Sequence, residues 1–124
     1  MAQWHPPLNT GNIRAVWSRK VRGQALEIYG RILDRTPRLT GNCVANWHIT
    51  VKTTSNQYEE GLTLADLAGT QSRSASRLTP NATMNFEPIH IQNNTPYVGP
   101  LEYGRSPKEP AGMVRVTLAE MGAQ

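Results

Sequence analysis

The fold of this 124-residue chain is decided by residues 11–35, GNIRAVWSRKVRGQALEIYGRILDR. Its apolar residues recur at intervals of three and four positions, which places them on one side of an α-helix: Ile13, Val16, Trp17, Val21, Ala25, Ile28, Tyr29, Ile32 and Leu33. The period predicts an amphipathic helix from Gly11 to about Arg35. Pro37 disfavours helical geometry in the residue before it, so the helix is expected to end near Thr36.

Two stretches beyond this helix have the alternation that is typical of half-buried strands. Trp47, Ile49 and Val51 alternate with polar residues, and Ile89 and Ile91 do the same further along the chain. Since successive side chains of a strand point to opposite faces, each stretch predicts a strand with one apolar face. The two strands are expected to belong to a small antiparallel sheet.

The remaining segments are shorter or less regular. Residues 1–10 contain two prolines and no apolar period, which favours a flexible arm. Gly69–Thr79 is small, polar and basic and predicts a long exposed loop or hairpin, whose replacement by a Gly-Ser linker should leave the domain folded. Tyr97–Tyr103 predicts a short helical or irregular element closed by Gly104, and a short second helix is expected over about residues 111–121.

This order of elements predicts one α+β domain over residues 11–124. A long N-terminal helix and a short C-terminal helix are expected to cover one face of the sheet, because an apolar sheet face has to be buried. The apolar content of 38% is low, since ordinary globular chains have ~45 to 50%. Part of the surface is therefore expected to be irregular loop or to be buried against partner subunits.

The net charge of +4 is concentrated near the N-terminus. Residues 1–38 hold seven Lys and Arg against two acidic residues, whereas the remainder of the chain holds six against seven. In one interpretation, the basic face of this helix contacts phosphate groups or an acidic neighbouring subunit. In the other, the basic face is simply exposed to solvent. The candidate contact residues are Arg19, Lys20 and Arg22 in the helix and Arg73 and Arg77 in the predicted loop.

The sequence contains no recognisable catalytic or metal-binding pattern. The three histidines and the single cysteine lack zinc-site spacing, and no nucleophile elbow, phosphate-binding loop or dinucleotide fingerprint is found. No apolar run approaches the ~18 residues of a membrane span, and the first residues lack the pattern of a secretion signal. We therefore expect no catalytic residue, cofactor, metal or membrane contact, in a protein made in the cytoplasm.

Two segments combine turn residues with aromatic side chains. The first segment covers residues 36–47 and has the pattern T-P-x-x-T-G-x-x-x-x-x-W. The second lies between residues 93 and 114 and contains, in order, N-N-x-P-Y, L-E-Y-G and P-A-G-M-V. On the residues alone, the aromatic side chains are predicted to lie in the core and the glycines to adopt backbone angles that other residues avoid. The positions concerned are Pro37, Gly41, Trp47, Tyr97, Tyr103 and Gly104.

In this order and at this spacing, the motifs resemble those of the neck and minor-tail family of tailed bacteriophages, over roughly residues 13–121. Members of the family are tail-completion or head-tail joining components, similar in role to the Z protein of phage lambda. Two positions depart from the family pattern. Cys43 stands where a leucine is usual, and Asn46 replaces a small hydroxyl residue. Both changes are mild and are expected to leave the fold intact.

The resemblance implies a structural role and carries over no active site. It implies a virion protein of the neck or upper tail, assembled in the host bacterial cytoplasm, that completes the head-proximal end of the tail and joins it to the head. The implied partners are copies of the chain itself in a ring, with six as the expected number, and the tail-tube, terminator and head-tail connector proteins, with DNA in the channel as a further candidate. The alternatives are the tail terminator proper, a basic DNA-binding module and a small enzyme.

Overall fold

The structure is a computed structural model that describes residues 10–38, 41–56, 59–79, 87–96, 98–105 and 112–122, with residues 10–12, 104 and 105 described by their backbone alone. The elements in chain order are α1 (Thr10–Arg35), α2 (Asn42–Ala45), β1 (His48–Val51), α3 (Leu64–Arg77), β2 (Ile89–Gln92), α4 (Val98–Pro100), a π-helical turn (Leu101–Arg105) and α5 (Met113–Gly122). The predicted α+β class, with a long N-terminal and a short C-terminal helix on a small antiparallel sheet, is confirmed.

Helix α1 has the bounds that its apolar period predicts. It begins at Thr10, so the predicted arm lies outside the described residues except for this one position, and it ends at Arg35. Thr36 is fully buried, and its hydroxyl donates a hydrogen bond of 2.7 Å to the carbonyl of Ile32. That bond satisfies one of the carbonyl groups that the end of a helix leaves without an intrahelical partner. Pro37 follows, as expected of a residue that cannot continue a helix.

The core lies where the second half of α1 meets the segment from α2 to β1. Its members are buried apolar side chains from five of the elements and their flanks: Ala25, Tyr29, Ile32, Leu33, Val44, Ala45, Trp47, Ile49, Leu67, Leu78 and Met113. Trp47 directly precedes β1 and is 4% exposed. Its predicted place in the core is therefore confirmed.

Strands β1 and β2 form a two-stranded antiparallel sheet, with Ile49 opposite Ile91 and Val51 opposite Ile89. Both predicted strands are confirmed. A two-stranded sheet is at best marginally stable on its own in water. It depends here on helix α3, which packs on β1, and on α1, which approaches β2.

The prediction of a long exposed loop over Gly69–Thr79 is wrong, because most of this segment belongs to helix α3. The helix begins with a capping box, in which the backbone N–H of Thr63 donates to the Asp66 carboxylate at 2.8 Å. Reciprocal bonds of this kind satisfy backbone donors at a helix start. Because the segment is helical and not a loop, we no longer expect that a flexible linker can replace it.

The buried face of α3 explains why the sequence did not reveal it. Leu67, Thr70, Ser74 and Leu78 are buried and recur at three- and four-residue intervals, as one face of a helix requires. Two of these four residues are small and polar, so the apolar period is interrupted. Small side chains let the helix approach β1 closely, and the hydroxyl of Ser74 accepts a hydrogen bond from the backbone of that strand.

Gly41 is a position where no other residue fits. Its φ angle of +85° lies in the left-handed region, and a Cβ atom added there would clash with the backbone nitrogen of Leu64. The connection between α1 and α2 therefore crosses the start of α3 at a distance that only glycine permits. The unusual backbone angle predicted for Gly41 is confirmed.

We expect Trp47→Ala to lower the free energy of unfolding by ~3 to 5 kcal/mol, because it removes a large buried side chain and leaves a cavity. Urea and thermal unfolding of the purified protein measure the loss. Tyr103→Ala is the matched control, since Tyr103 is 75% exposed and should lose less than about 1 kcal/mol. A loss below about 1 kcal/mol for Trp47→Ala would contradict its place in the core.

Candidate functional site

A polar groove runs along α3 and contains two of the predicted contact residues. Arg73 and Arg77 line it together with Glu59, His48 and Thr50, and its volume is about 690 Å³. The two arginines are four positions apart on one helix, so their side chains lie on the same face. The groove is a candidate site for an anion or for a chain that carries carboxylates or phosphates, since guanidinium groups bind both.

Both arginines donate hydrogen bonds to other groups of the domain. Arg77 Nη1 donates to the carbonyl of Ile49 at 2.8 Å, and Arg73 Nη2 donates to Thr70 Oγ1 at 3.3 Å. A guanidinium group has five N–H donors, so each arginine keeps donors for a ligand. Neither forms an ion pair with a carboxylate among the residues that the structure describes.

Helix α3 closes the outer edge of β1 with side chains. The backbone N–H of Ile49 donates to Ser74 Oγ at 3.1 Å, and its carbonyl accepts the bond from Arg77. An open strand edge is a template for pairing with another chain. At Ile49 this template is already occupied, so Arg77 has a structural role in addition to the contact role predicted for it.

Tyr29 joins the same region to helix α1. Its hydroxyl donates to the carbonyl of Trp47 at 2.7 Å. Burial raises the pKa of the Tyr29 phenol, although a hydrogen bond with Ser74 and the charges of Arg73 and Arg77 act in the opposite direction. The phenol therefore stays protonated and works as a donor that holds α1 to the start of β1.

The basic residues of α1 fall into two groups with different surroundings. Near the end of the helix, Arg31 donates to Glu27 at 2.6 Å and to Glu120 of α5 at 3.1 Å, and Arg35 forms a second ion pair with Glu120. The Arg35 guanidinium lowers the pKa of the Glu120 carboxyl, and Arg31 adds to the effect. These arginines hold α5 against α1.

The other group lies in the first half of α1 and contains the predicted contact residues. Arg19 and Lys20 are exposed, and neither forms an ion pair within the described part of the chain. Arg22 is half-buried and its Nε donates to the carbonyl of Ser18 at 3.3 Å. Arg19 and Lys20 are therefore the basic residues of α1 that are best placed to meet a partner.

The L-E-Y-G and P-A-G-M-V motifs are joined by one carboxylate. The side chain of Glu102 accepts hydrogen bonds from the backbone N–H groups of Met113 and Val114, both at 2.8 Å, and of Arg115 at 3.1 Å. It also pairs with the Arg115 guanidinium at 3.1 Å. An anion is stabilised at the start of a helix by the free N–H groups and by the helix dipole. Glu102 thus caps α5 from the neighbouring π-helical turn.

The pKa of Glu102 reflects two opposing effects. Burial disfavours the charged carboxylate and is the largest single influence. The hydrogen bonds from Val114, Arg115 and Met113 together outweigh it and place the pKa of Glu102 below its ordinary value. The carboxylate is therefore charged at neutral pH, in the form that caps the helix.

Tyr103 is not in the core, so that prediction is wrong. The π-helical turn directs Glu102 inward, and the next residue points to solvent with its ring 4.8 Å from the Arg115 guanidinium carbon. Gly104 lies inside this turn, which continues to Arg105, so it does not close the element as expected. The predicted short helical element itself is confirmed. Tyr97 lies outside the described residues.

Cys43 and Asn46 are both buried. Burial raises the pKa of the Cys43 thiol, which disfavours the reactive thiolate. Asn46 bonds both backbone groups of Glu59: its Nδ2 donates to the carbonyl and its Oδ1 accepts from the N–H, each at 2.9 Å. This amide therefore fixes the segment before α3.

The described residues contain no group of three His, Cys, Asp or Glu side chains arranged to hold a metal ion. Within the same ranges, no helix has the length and apolar character needed to cross a membrane. Searches against family models, curated proteins and solved structures returned no match.

Two important residues were missed by reasoning from sequence. Glu102 caps a helix that begins eleven positions later, which is far outside the spacing of a local cap. Ser74 pairs with a strand edge that only the tertiary structure brings to it. A signal for α3 was present, however, because Thr63 and Asp66 have capping-box spacing.

We expect Glu102→Gln to lower the free energy of unfolding by ~1 to 2 kcal/mol at neutral pH, because it removes a charged cap. A carboxyl with a depressed pKa stabilises the fold fully above its ordinary pKa of ~4.3, and this contribution is lost as the pH falls through the lower folded-state value. The difference between wild type and variant should therefore disappear in acid. Chemical unfolding as a function of pH measures it.

The control for this experiment is Asp34→Asn, which alters an exposed carboxyl whose described interaction is a contact of 3.9 Å with Arg38, four positions along the chain. It should change stability by less than about 0.5 kcal/mol at every pH. A pH-independent loss in Glu102→Gln would show that shape and not charge is what the cap supplies.

Proposed function

We propose that this protein is a structural subunit of a tailed bacteriophage that completes the head-proximal end of the tail and joins it to the head connector. In this role the chain belongs to the neck or upper tail of the virion and is assembled in the cytoplasm of the host bacterium. It contacts further copies of itself in a ring, for which six is the expected number, and the tail-tube, terminator and connector proteins.

The observation that best supports this proposal is the contact between L-E-Y-G and P-A-G-M-V. Each motif is short, and a chance match to either is common. The two motifs are in direct contact, because the glutamate of the first caps the helix that starts within the second. A resemblance that spans both motifs therefore concerns a three-dimensional arrangement, which is a stronger basis for a shared role than composition alone.

The surface of the domain also suits a subunit. Ile13, Val16 and Trp17, on neighbouring turns of α1, are between 45% and 64% exposed, although large apolar side chains stabilise proteins mainly when buried. Clustered exposed apolar side chains mark contact sites for other proteins. A small domain with such side chains gains stability from assembly, because a partner that binds only the folded state shifts the folding equilibrium.

Inactivating the gene in the phage that encodes this chain should leave filled heads and separate tails, since the joining component is missing. Electron microscopy of lysates and plaque counts measure the defect, and the wild-type chain supplied in trans should restore infectious particles. A second arm uses Trp47→Ala supplied in trans, which should restore fewer particles because the domain is destabilised. Normal plaque numbers and joined particles without the chain would overturn the proposal.

A basic DNA-binding module is the second candidate, and the Arg73–Arg77 groove is the observation that favours it. Under the structural proposal, duplex DNA should bind only in the non-specific range of ~10⁻⁴ to 10⁻⁶ M at physiological salt. Fluorescence anisotropy over a salt series measures this, with Arg73→Ala as the variant and Lys52→Ala as an exposed control. Nanomolar binding that weakens steeply with salt and is lost only in Arg73→Ala would favour the DNA-binding function.

A further inference from the structure

The first half of α1 carries an exposed surface that is both apolar and basic. Ile13, Val16 and Trp17 are 46%, 64% and 45% exposed, and Lys20 continues the same helix face. Arg19 lies one turn after Val16 and flanks this face. We call these five residues the basic end. Its apolar centre is a poor match for phosphate, because a surface that binds only DNA backbone needs cations and hydrogen-bond donors.

A second exposed surface combines apolar groups with carboxylates. Glu59 and Glu60 are adjacent and exposed, and Leu64, 47% exposed, lies beside Ala65 and Ala68 on the first turns of α3. We call these five residues the acidic end. In the described structure neither glutamate forms an ion pair, although Glu59 lines the same groove as Arg73 and Arg77.

The acidic end is held in place by buried amides. Asn46 bonds both backbone groups of Glu59 at 2.9 Å, and Asn42 Oδ1 accepts from the N–H of Leu62 at 3.1 Å. The connection therefore presents its two carboxylates from a fixed backbone. A surface that is ordered in advance loses less conformational entropy when a partner binds.

The two ends lie far apart in the molecule. The acidic end is linked to the middle of α1, because Asn46 bonds the backbone of Glu59 and the carbonyl of the adjacent Trp47 accepts a hydrogen bond from Tyr29. Trp17 and Tyr29 are separated by 12 helical positions, which corresponds to ~18 Å along the helix axis. One copy of the chain therefore cannot join its own two ends, whereas neighbouring copies can.

We propose that the basic end of one copy docks on the acidic end of the next copy, in a head-to-tail contact. The apolar side chains of both ends are buried in this contact, and Arg19 and Lys20 face Glu59 and Glu60. Complementary charge sets the register, while apolar burial supplies most of the affinity. Such a contact repeats from copy to copy and closes into a ring when its rotation permits. The inference deepens the proposed function by naming the interface of the ring.

Charge reversal of the full-length protein tests the contact. The variants are Arg19→Glu/Lys20→Glu, Glu59→Lys/Glu60→Lys, and the fourfold combination, which keeps the wild-type net charge of +4. Sedimentation velocity over a range of concentrations measures self-association. Each double variant should weaken self-association at least about tenfold, because like charges then face each other. The fourfold variant should assemble as wild type does.

Mixing the two double variants gives a second, independent result. Alone, each presents ends of like charge, but in the mixture every end meets an opposite one, so assembly should return. Lys52→Glu serves as a control for charge change at an exposed position outside both ends and should assemble normally. Circular dichroism and thermal unfolding confirm that each variant is folded.

Several outcomes would overturn the head-to-tail contact. A wild-type protein that is monomeric at every concentration would do so, as would double variants that assemble like wild type. If only the Arg19→Glu/Lys20→Glu variant fails and loses duplex DNA binding at the same time, the basic end binds DNA. None of these results decides the phage role, which the in-trans experiment tests separately, so failure of the interface and failure of the proposed function remain distinguishable.

Discussion

The carboxylate of Glu102 is the interaction on which the C-terminal third of the domain depends. Helix α5 has ten residues, which is too short for a stable helix in water without tertiary support. Glu102 satisfies three of its free N–H groups, and Glu120 ties its other end to Arg31 and Arg35. Met113, at the start of the helix, is thereby held in the core with 0% exposure. The cap thus joins a charged turn, a helix and the apolar core.

The basic residues of the chain fall into two groups, according to whether they form ion pairs within the domain. Arg31, Arg35 and Arg115 face carboxylates inside the domain and stabilise packing between elements. Arg19 and Lys20 form no ion pair in the described structure and give the surface of α1 its positive charge. The excess of basic residues near the N-terminus is therefore not one uniform patch. Arg31 and Arg35 hold α5 against α1, whereas Arg19 and Lys20 are exposed beside apolar side chains of the same helix.

Sequence reasoning predicted the elements whose signals are local. The apolar period and Pro37 located α1, alternation located both strands, and the angle of Gly41 followed from its place in a turn. Reasoning from sequence was wrong where tertiary contacts determine the local structure. Helix α3 has a small, polar buried face because Ser74 must reach β1, and Tyr103 is exposed because its neighbour Glu102 turns inward to α5. For the candidate site, the arginines were named in advance, but the groove and the acidic end were not.

Cryo-electron microscopy of the assembled virion tests the central claim most directly. If the proposed function is right, a ring of copies lies between the tail tube and the head connector, and Val16 and Lys20 of one copy approach Glu60 and Leu64 of the next. A virion that lacks the chain, or copies that contact the tail without contacting one another, would contradict it.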